Sequence, residues 1–117
     1  MLRTSAGRAY LAACGSSERD LILNHLRRID EADDRPFLEP GRLQRVIAET
    51  AERGFGIRSE GEFNPKTASI AVAIVREDVV FGCISIIWIR SALAIEEAIA
   101  NFVAPLREAA AAIPVNP

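Results

Sequence analysis

The strongest constraint on this chain is a pair of apolar stretches, residues 67–75 and 79–89, separated only by Arg76-Glu77-Asp78. Both stretches are rich in β-branched residues, and the charged link between them is short enough to close a hairpin. Strand side chains alternate between faces. One face therefore takes Ser69, Ala71 and Ala73 with Cys83, Ser85 and Ile87. The other takes Ile70, Val72 and Ile74 with Val80, Ile84, Ile86 and Trp88. Both faces are largely apolar, which predicts a sheet covered on both sides. The bulky face suits helix packing. The face of small residues admits two readings: room for a ligand cavity, or a gap filled by large side chains from a helix.

Helical patterns surround this hairpin. Thr4 and Ser5 are N-cap candidates for a helix over AGRAYLAA, with Gly15 as its stop. Ser16 and Ser17 open a second helix, with Leu21, Ile22, Leu26 and Ile29 as its apolar stripe. Residues 30–41 are charged and proline-containing and read as a surface loop, the acids Asp30–Asp34 being solvated. A third helix runs from about Gly41 to Arg53 on Leu43, Val46, Ile47 and Thr50, and Gly54 sits where a left-handed C-cap belongs. A short strand is expected at Phe55–Ser59, then a turn-rich connection over residues 60–66. The last helix covers about residues 93–113 on Ile95, Ile99, Phe102, Leu106 and Ile113, with a kink expected at Pro105.

A length of 117 residues bounds this to one domain with a real core, and a hydrophobic share of 50% argues against disorder. The net charge of −2 offers no basic patch, so these residues alone are not expected to bind DNA. No apolar run reaches membrane-spanning length, and the first residues lack the hydrophobic core of a signal peptide. Cys14 and Cys83 form no C-x-x-C pattern, which fits a reduced, cytoplasmic chain. An enzyme reading is disfavoured. His25 is the only histidine and has no evident base-orienting partner, and neither cysteine shows metal-ligand spacing or a neighbouring histidine. No metal and no cofactor are expected.

An ordered set of motifs then points to a family. The run Thr4-Ser5-Ala6-Gly7-Arg8-Ala9 is similar to the T-A-x-G-[RK]-A helix opening of IclR-type transcriptional regulators. Arg53-Gly54-Phe55 resembles their R-G-[YF], and residues 62–71 (EFNPKTASIA) resemble E-F-x-P-G-x-x-C-[IV]-A. Residues 82–88 (GCISIIW) are similar to [AG]-x-[IL]-S-[IVL]-S-G, and residues 106–110 to L-R-E-A-A. The resemblance implies an α/β (α+β) GAF-like fold, an antiparallel sheet packed with helices. It implies that residues 1–117 are a single partial effector-binding domain, with N-terminal strands and the winged helix-turn-helix absent. It also implies a function: sensing a small carboxylic or aromatic acid to modulate DNA binding by that absent domain. A homo-dimer or tetramer is implied, with no membrane partner. The other reading is a ligand-free assembly domain.

Carried over by position, the implied ligand contacts are Ser5, Ala6, Arg58 or Ser59, Ser69, Ser85 and Ile87. The chain departs from the pattern where Ser69 stands for a frequent cysteine, Ile87 for a serine and Trp88 for a glycine. Where an acidic pair is usual, it has Arg58-Ser59-Glu60-Gly61. Family members governing phenylpropionate and related aromatic-acid catabolism look similar around TSAGRAYLA, and Ile87 makes the face more apolar, so a substituted aromatic acid is the leading expectation. The residues themselves leave alternatives open. The helix start at Ser5, Ala6 and Gly7 suits a carboxylate, or is an ordinary capped terminus. Ser69 and Ser85 need partners, which a ligand, a carbonyl or a water can supply. Arg58 pairs with a carboxylate or, as most arginines do, lies in solvent, the favoured reading.

Overall fold

The computed structural model describes residues 1–114, and the following statements concern those residues. The elements are α1 (Ser5–Ala13), α2 (Ser16–Ile29), a 3-10 turn (Arg35–Leu38), α3 (Pro40–Arg53), β1 (Gly56–Arg58), β2 (Thr67–Arg76), β3 (Val79–Ile89) and α4 (Ile95–Ala112). The three strands form one antiparallel sheet in the order β1-β2-β3. This is the expected α+β architecture.

The hairpin is tighter than its sequence suggested. Arg76 pairs with Val79, so the loop is only Glu77-Asp78, and both residues adopt positive φ, 52° and 64°. That is the two-residue primed turn whose twist matches that of the strands. Neither residue is the glycine or asparagine that the conformation favours. The Arg76 side chain fastens this end of the sheet to α4. Its Nη2 donates to the carbonyls of Ala110, Ala111 and Ile113 at 2.8, 3.0 and 3.1 Å, a cation on a helix C-terminus.

The strict alternation read from sequence fails at one place. Gly82 pairs with Ile74 and Val80 with Val75, so Phe81 is an extra residue in β3. One inserted residue reverses the facing of everything beyond it. Val80 therefore shares the face of Val75 and Ala73, not the bulky face expected of it.

Two apolar clusters fill the molecule. On the bulky face, Ile70, Val72 and Ile74 pack with Phe55 and with Ala98, Val103, Leu106 and Ala110, Ile84, Ile86 and Trp88 lying partly buried against them. α4 supplies this cover and runs through Pro105 to Ala112. Pro105 lies on the exposed side. The second cluster, Leu2, Leu11, Leu23, Phe37 and Leu43, lies beyond α1, between it and α2–α3. On α2 the buried residue is Leu23, whereas Leu21 and Ile29 of the expected stripe are 69% and 50% exposed. This outermost helix is held along a narrow line.

The segment 30–41 is also less open than its charge implied. Phe37 of the 3-10 turn is buried, and α3 begins at Pro40. Asp34, expected in solvent, is 4% exposed, with Oδ1 3.5 Å from Nε of Arg3.

Candidate functional site

The site is built where α1 lies on the other face of the sheet. Neither reading of the small-residue face describes this contact fully. The helix brings small residues to the small-residue strands, and its backbone comes close. Gly56 of β1 has no room for a Cβ, which would overlap the Ser5 carbonyl and meet the backbone N of Ala9 at 3.1 Å. Small side chains on both partners permit this approach. β2 is covered on both sides as expected. β3 is not: Ser85 is exposed, and Ile87 and Ile89 are 63% and 61% exposed on the α1 side.

The strand register groups the expected residues. Arg58 stands opposite Ser69, which stands opposite Ile87, in one row across the three strands. The next row on the same face is Gly56, Ala71 and Ser85. α1 begins over these rows. The hydroxyls of Ser5 and Ser69, both buried, are 2.7 Å apart. Cys83 donates through Sγ to the Ala6 carbonyl at 3.4 Å, and burial pushes its thiol pKa up, so it remains a protonated donor.

The N-terminus of α1 retains donors. The Thr4 hydroxyl caps it by accepting from the Gly7 N–H at 3.0 Å. Among the described residues, the N–H groups of Ser5 and Ala6 have no such partner, as expected of the first turn. The serine pair adds a further donor. Only one hydroxyl of a pair can donate to the other, so the second proton is free to face an acceptor.

Arg58 takes neither of the roles left open for it. It is 3% exposed, and its guanidinium is engaged by the chain. Nη1 donates to the carbonyls of Glu62, Asn64 and Thr67 at 3.1, 3.3 and 3.0 Å, and Nη2 to the Thr67 hydroxyl at 2.9 Å. Burial lowers its pKa, with the Glu62 carboxylate opposing the shift. The solvent reading is thus overturned: carbonyls of the 60–67 connection replace water. Ser59, one residue on, does not join the row. It lines a separate hollow of about 460 Å³ with Phe37, Arg42, Arg45, Arg53 and Ile99. A smaller hollow of about 210 Å³ lies further along α1, lined by Ala9, Ala13, Thr50, Phe55, Ala73 and Val75. The grouped residues Ser5, Ser69, Ser85 and Ile87 border neither. Ser85 and Ile87 are open to solvent, whereas Ser5 and Ser69 lie buried beside them under α1.

Two organising residues escaped the sequence reading. Arg8, in an otherwise small and apolar helix, donates through Nε to the Leu2 carbonyl at 2.9 Å and through Nη1 to the Ile57 carbonyl at 2.8 Å. It also pairs with Glu62 at 3.0 Å, both side chains being nearly buried. Burial raises the Glu62 pKa, but the backbone N–H groups of Glu62 and Glu60 and the Arg8 charge outweigh it, and the net shift is downward. The available signal was the cation itself, one charge within TSAGRAYLAA. Arg8 thereby ties α1 to β1 and to the 60–67 connection, which Arg58 also grips.

His25 is exposed on α2. No group of three or more His, Cys, Asp or Glu side chains among the described residues is arranged to hold a metal ion. No helix there is long and apolar enough to cross a membrane.

Comparison with known proteins bears on this geometry. The family model for the C-terminal region of the bacterial transcriptional regulator IclR matches residues 1–115. Among solved structures, the C-terminal domain of the E. coli transcriptional regulator KdgR is 26% identical, with a TM-score of 0.75 over 94% of this chain and 66% of that one. The Agobacterium tumefaciens repressor BlcR is 26% identical, with a TM-score of 0.74 over 95% of this chain and 44% of its own. An IclR homolog from Microbacterium hydrocarbonoxydans, solved in complex with 4-hydroxybenzoate, is 25% identical, with a TM-score of 0.68 over 93% and 42% of the two chains. The chain thus spans less than half the length of the last two proteins.

Proposed function

This chain belongs to the IclR C-terminal family of bacterial transcriptional regulators, and on that premise we propose that it senses a small organic acid, a substituted aromatic acid in particular, on the face shared by α1, β2 and β3. The observation that carries the reading is the convergence of Ser5, Ser69, Ser85 and Ile87, from three separate elements, beside the free N–H groups of Ser5 and Ala6. A ligand carboxylate accepts from those amides and from the spare serine proton, where the helix start favours negative charge. Ser85 supplies a second hydroxyl, and Ile87 an apolar wall for a ring. The relative bound to 4-hydroxybenzoate supports this ligand class. Arg58 acts behind the site, holding the 60–67 connection in place, rather than on the carboxylate.

In a longer regulator, a ligand that prefers one geometry of α1 on the sheet would pass that preference to a DNA-binding domain. Calorimetry of the whole chain with 4-hydroxybenzoate, and with phenol as the control lacking a carboxylate, tests the proposal. Binding is expected only for the acid. Ser85→Leu, at an exposed strand position where the fold tolerates it, is expected to weaken binding at least tenfold. Equal binding of phenol, or an unchanged affinity in Ser85→Leu, overturns the assignment.

A further inference from the structure

The hollow of about 460 Å³ is not used by the acid-sensing face. Its walls come from interior parts of the chain. α3 packs with α1 on one side of the sheet, α4 covers the other, and the hollow opens between α3 and the start of α4, with Ile57 of β1 also lining it. Its volume is that of a small-molecule site. Ile57, Ile95 and Ile99, partly buried against the α4 cluster, give it an apolar lining together with Phe37 and Val46. The charges around that lining are sorted by wall. Arg8 and Glu62 satisfy each other at 3.0 Å. α3 then contributes three cations and one anion, Arg42, Arg45, Arg53 and Glu49, whereas the segment after β1 and the first turn of α4 contribute two anions, Glu60 and Glu96. None of these six side chains forms an ion pair among the described residues. Arg42 lies over the Phe37 ring, 4.1 Å from its centroid, and a stacked guanidinium still presents its N–H edge to an acceptor. Arg53 donates through Nε to the Phe55 carbonyl at 3.3 Å, which leaves its two Nη groups to donate elsewhere.

We propose that this hollow is a second binding site, separate from the acid-sensing face, for a short zwitterionic peptide with apolar side chains. The sorting of charge selects this ligand. A simple anion drawn to the α3 arginines would also meet Glu60 and Glu96, and a simple cation drawn to those acids would also meet the arginines. A molecule charged oppositely at its two ends satisfies both walls. Its carboxylate takes paired N–H donors from the α3 guanidinium groups, the geometry that arginine offers best. Its ammonium group goes to Glu60 and Glu96. A dipeptide parts its two charges by about 7 Å, whereas a free amino acid carries both on one carbon. Its apolar side chains cover Ile57, Ile95 and Ile99, removing that surface from water. The site shares no side chain with the acid-sensing face, so either assignment can fail without the other.

Calorimetry of the whole chain with L-leucyl-L-leucine tests the proposal, with the N-acetyl and the C-terminal amide derivatives as controls that each lack one charge. Saturable binding in the millimolar range or tighter is expected for the zwitterion, and binding at least tenfold weaker for each derivative. Arg45→Glu and Glu96→Lys, at exposed positions and checked for native secondary structure by circular dichroism, place the site. Each is expected to weaken leucyl-leucine binding at least tenfold, and Arg45→Glu to leave the response to 4-hydroxybenzoate unchanged. No binding of leucyl-leucine overturns the proposal. So does equal binding of either blocked derivative, or an affinity that neither substitution changes. Should a variant fail to fold, the blocked derivatives, which need no substitution, decide.

Discussion

Replacing Arg58 with methionine removes every hydrogen bond of the guanidinium while keeping most of the side chain's apolar length. Four bonds are lost, to the carbonyls of Glu62, Asn64 and Thr67 and to the Thr67 hydroxyl. Hydrogen bonds from a charged donor are worth about 1.5–3 kcal/mol each. A plain sum overstates the loss, because three of the four share Nη1 and exposed residues 63–66 allow water to reach some of the freed carbonyls. A loss of about 2–4 kcal/mol is expected, near the lower end for breaking a buried ionic partner. Arg58→Lys keeps the charge but not the planar fork, and about 1–2 kcal/mol is expected for it. Urea unfolding followed by far-ultraviolet circular dichroism measures both. With slopes of about 1–3 kcal/mol/M, the methionine variant should lower the midpoint by roughly 1–2 M. A midpoint within about 0.3 M of the parent, less than 1 kcal/mol on those slopes, refutes the reasoning. The guanidinium would then be free in solution and available to a ligand.

Three further outcomes follow from named contacts. Glu77→Asn with Asp78→Gly supplies the residues that two positive φ angles favour, and thermal unfolding should show a gain of about 0.5–1 kcal/mol. The Glu62 pKa is lower folded than unfolded. The stability it contributes is therefore full above the unfolded value of about 4.3 and is lost as pH falls through the folded value. Glu62→Gln should destabilise the protein at pH 7, and the difference from the parent in urea unfolding should shrink below about pH 4; a gap that widens in acid contradicts the sign. Gly56→Ala forces α1 off the sheet, because the obstacle is the Ser5 and Ala9 backbone. A loss of about 1–3 kcal/mol is expected in the same assay, together with weakened acid binding.

The sheet and helices were legible because their signals are local. The β2 and β3 stretches, the Gly54 cap and the α3 face each depend on residues close in sequence. What was lost depends on contacts across the chain. The side on which Val80 lies turns on one unpaired residue, Phe81, which alternation cannot reveal. Arg58 looked like a solvent residue because base rates for arginine ignore a connection that turns its carbonyls inward. Asp34 and Phe37 looked like parts of a polar loop because Arg3, which meets the one, and Leu2 and Leu11, which cluster with the other, are far from them in sequence.

The site divides in the same way. Motif positions named Ser5, Ser69, Ser85 and Ile87 as candidates, and the strand register with the Ser5–Ser69 hydroxyl contact brings them side by side. Arg8 and Glu62, which hold the parts together, were visible only as one charge in an apolar helix and one acid in a turn. That β3 is left uncovered could not be inferred from its composition, which reads as a buried strand.

The central claim is that an organic acid is held at the start of α1 against Ser69 and Ser85. Backbone amide resonances of the isotope-labelled chain, followed during titration with 4-hydroxybenzoate, test it most directly. The account predicts saturable shifts at Ser5, Ala6, Ser69 and Ser85. Shifts confined to Arg42, Arg45 and Arg53 around the larger hollow, or none at all, would contradict it.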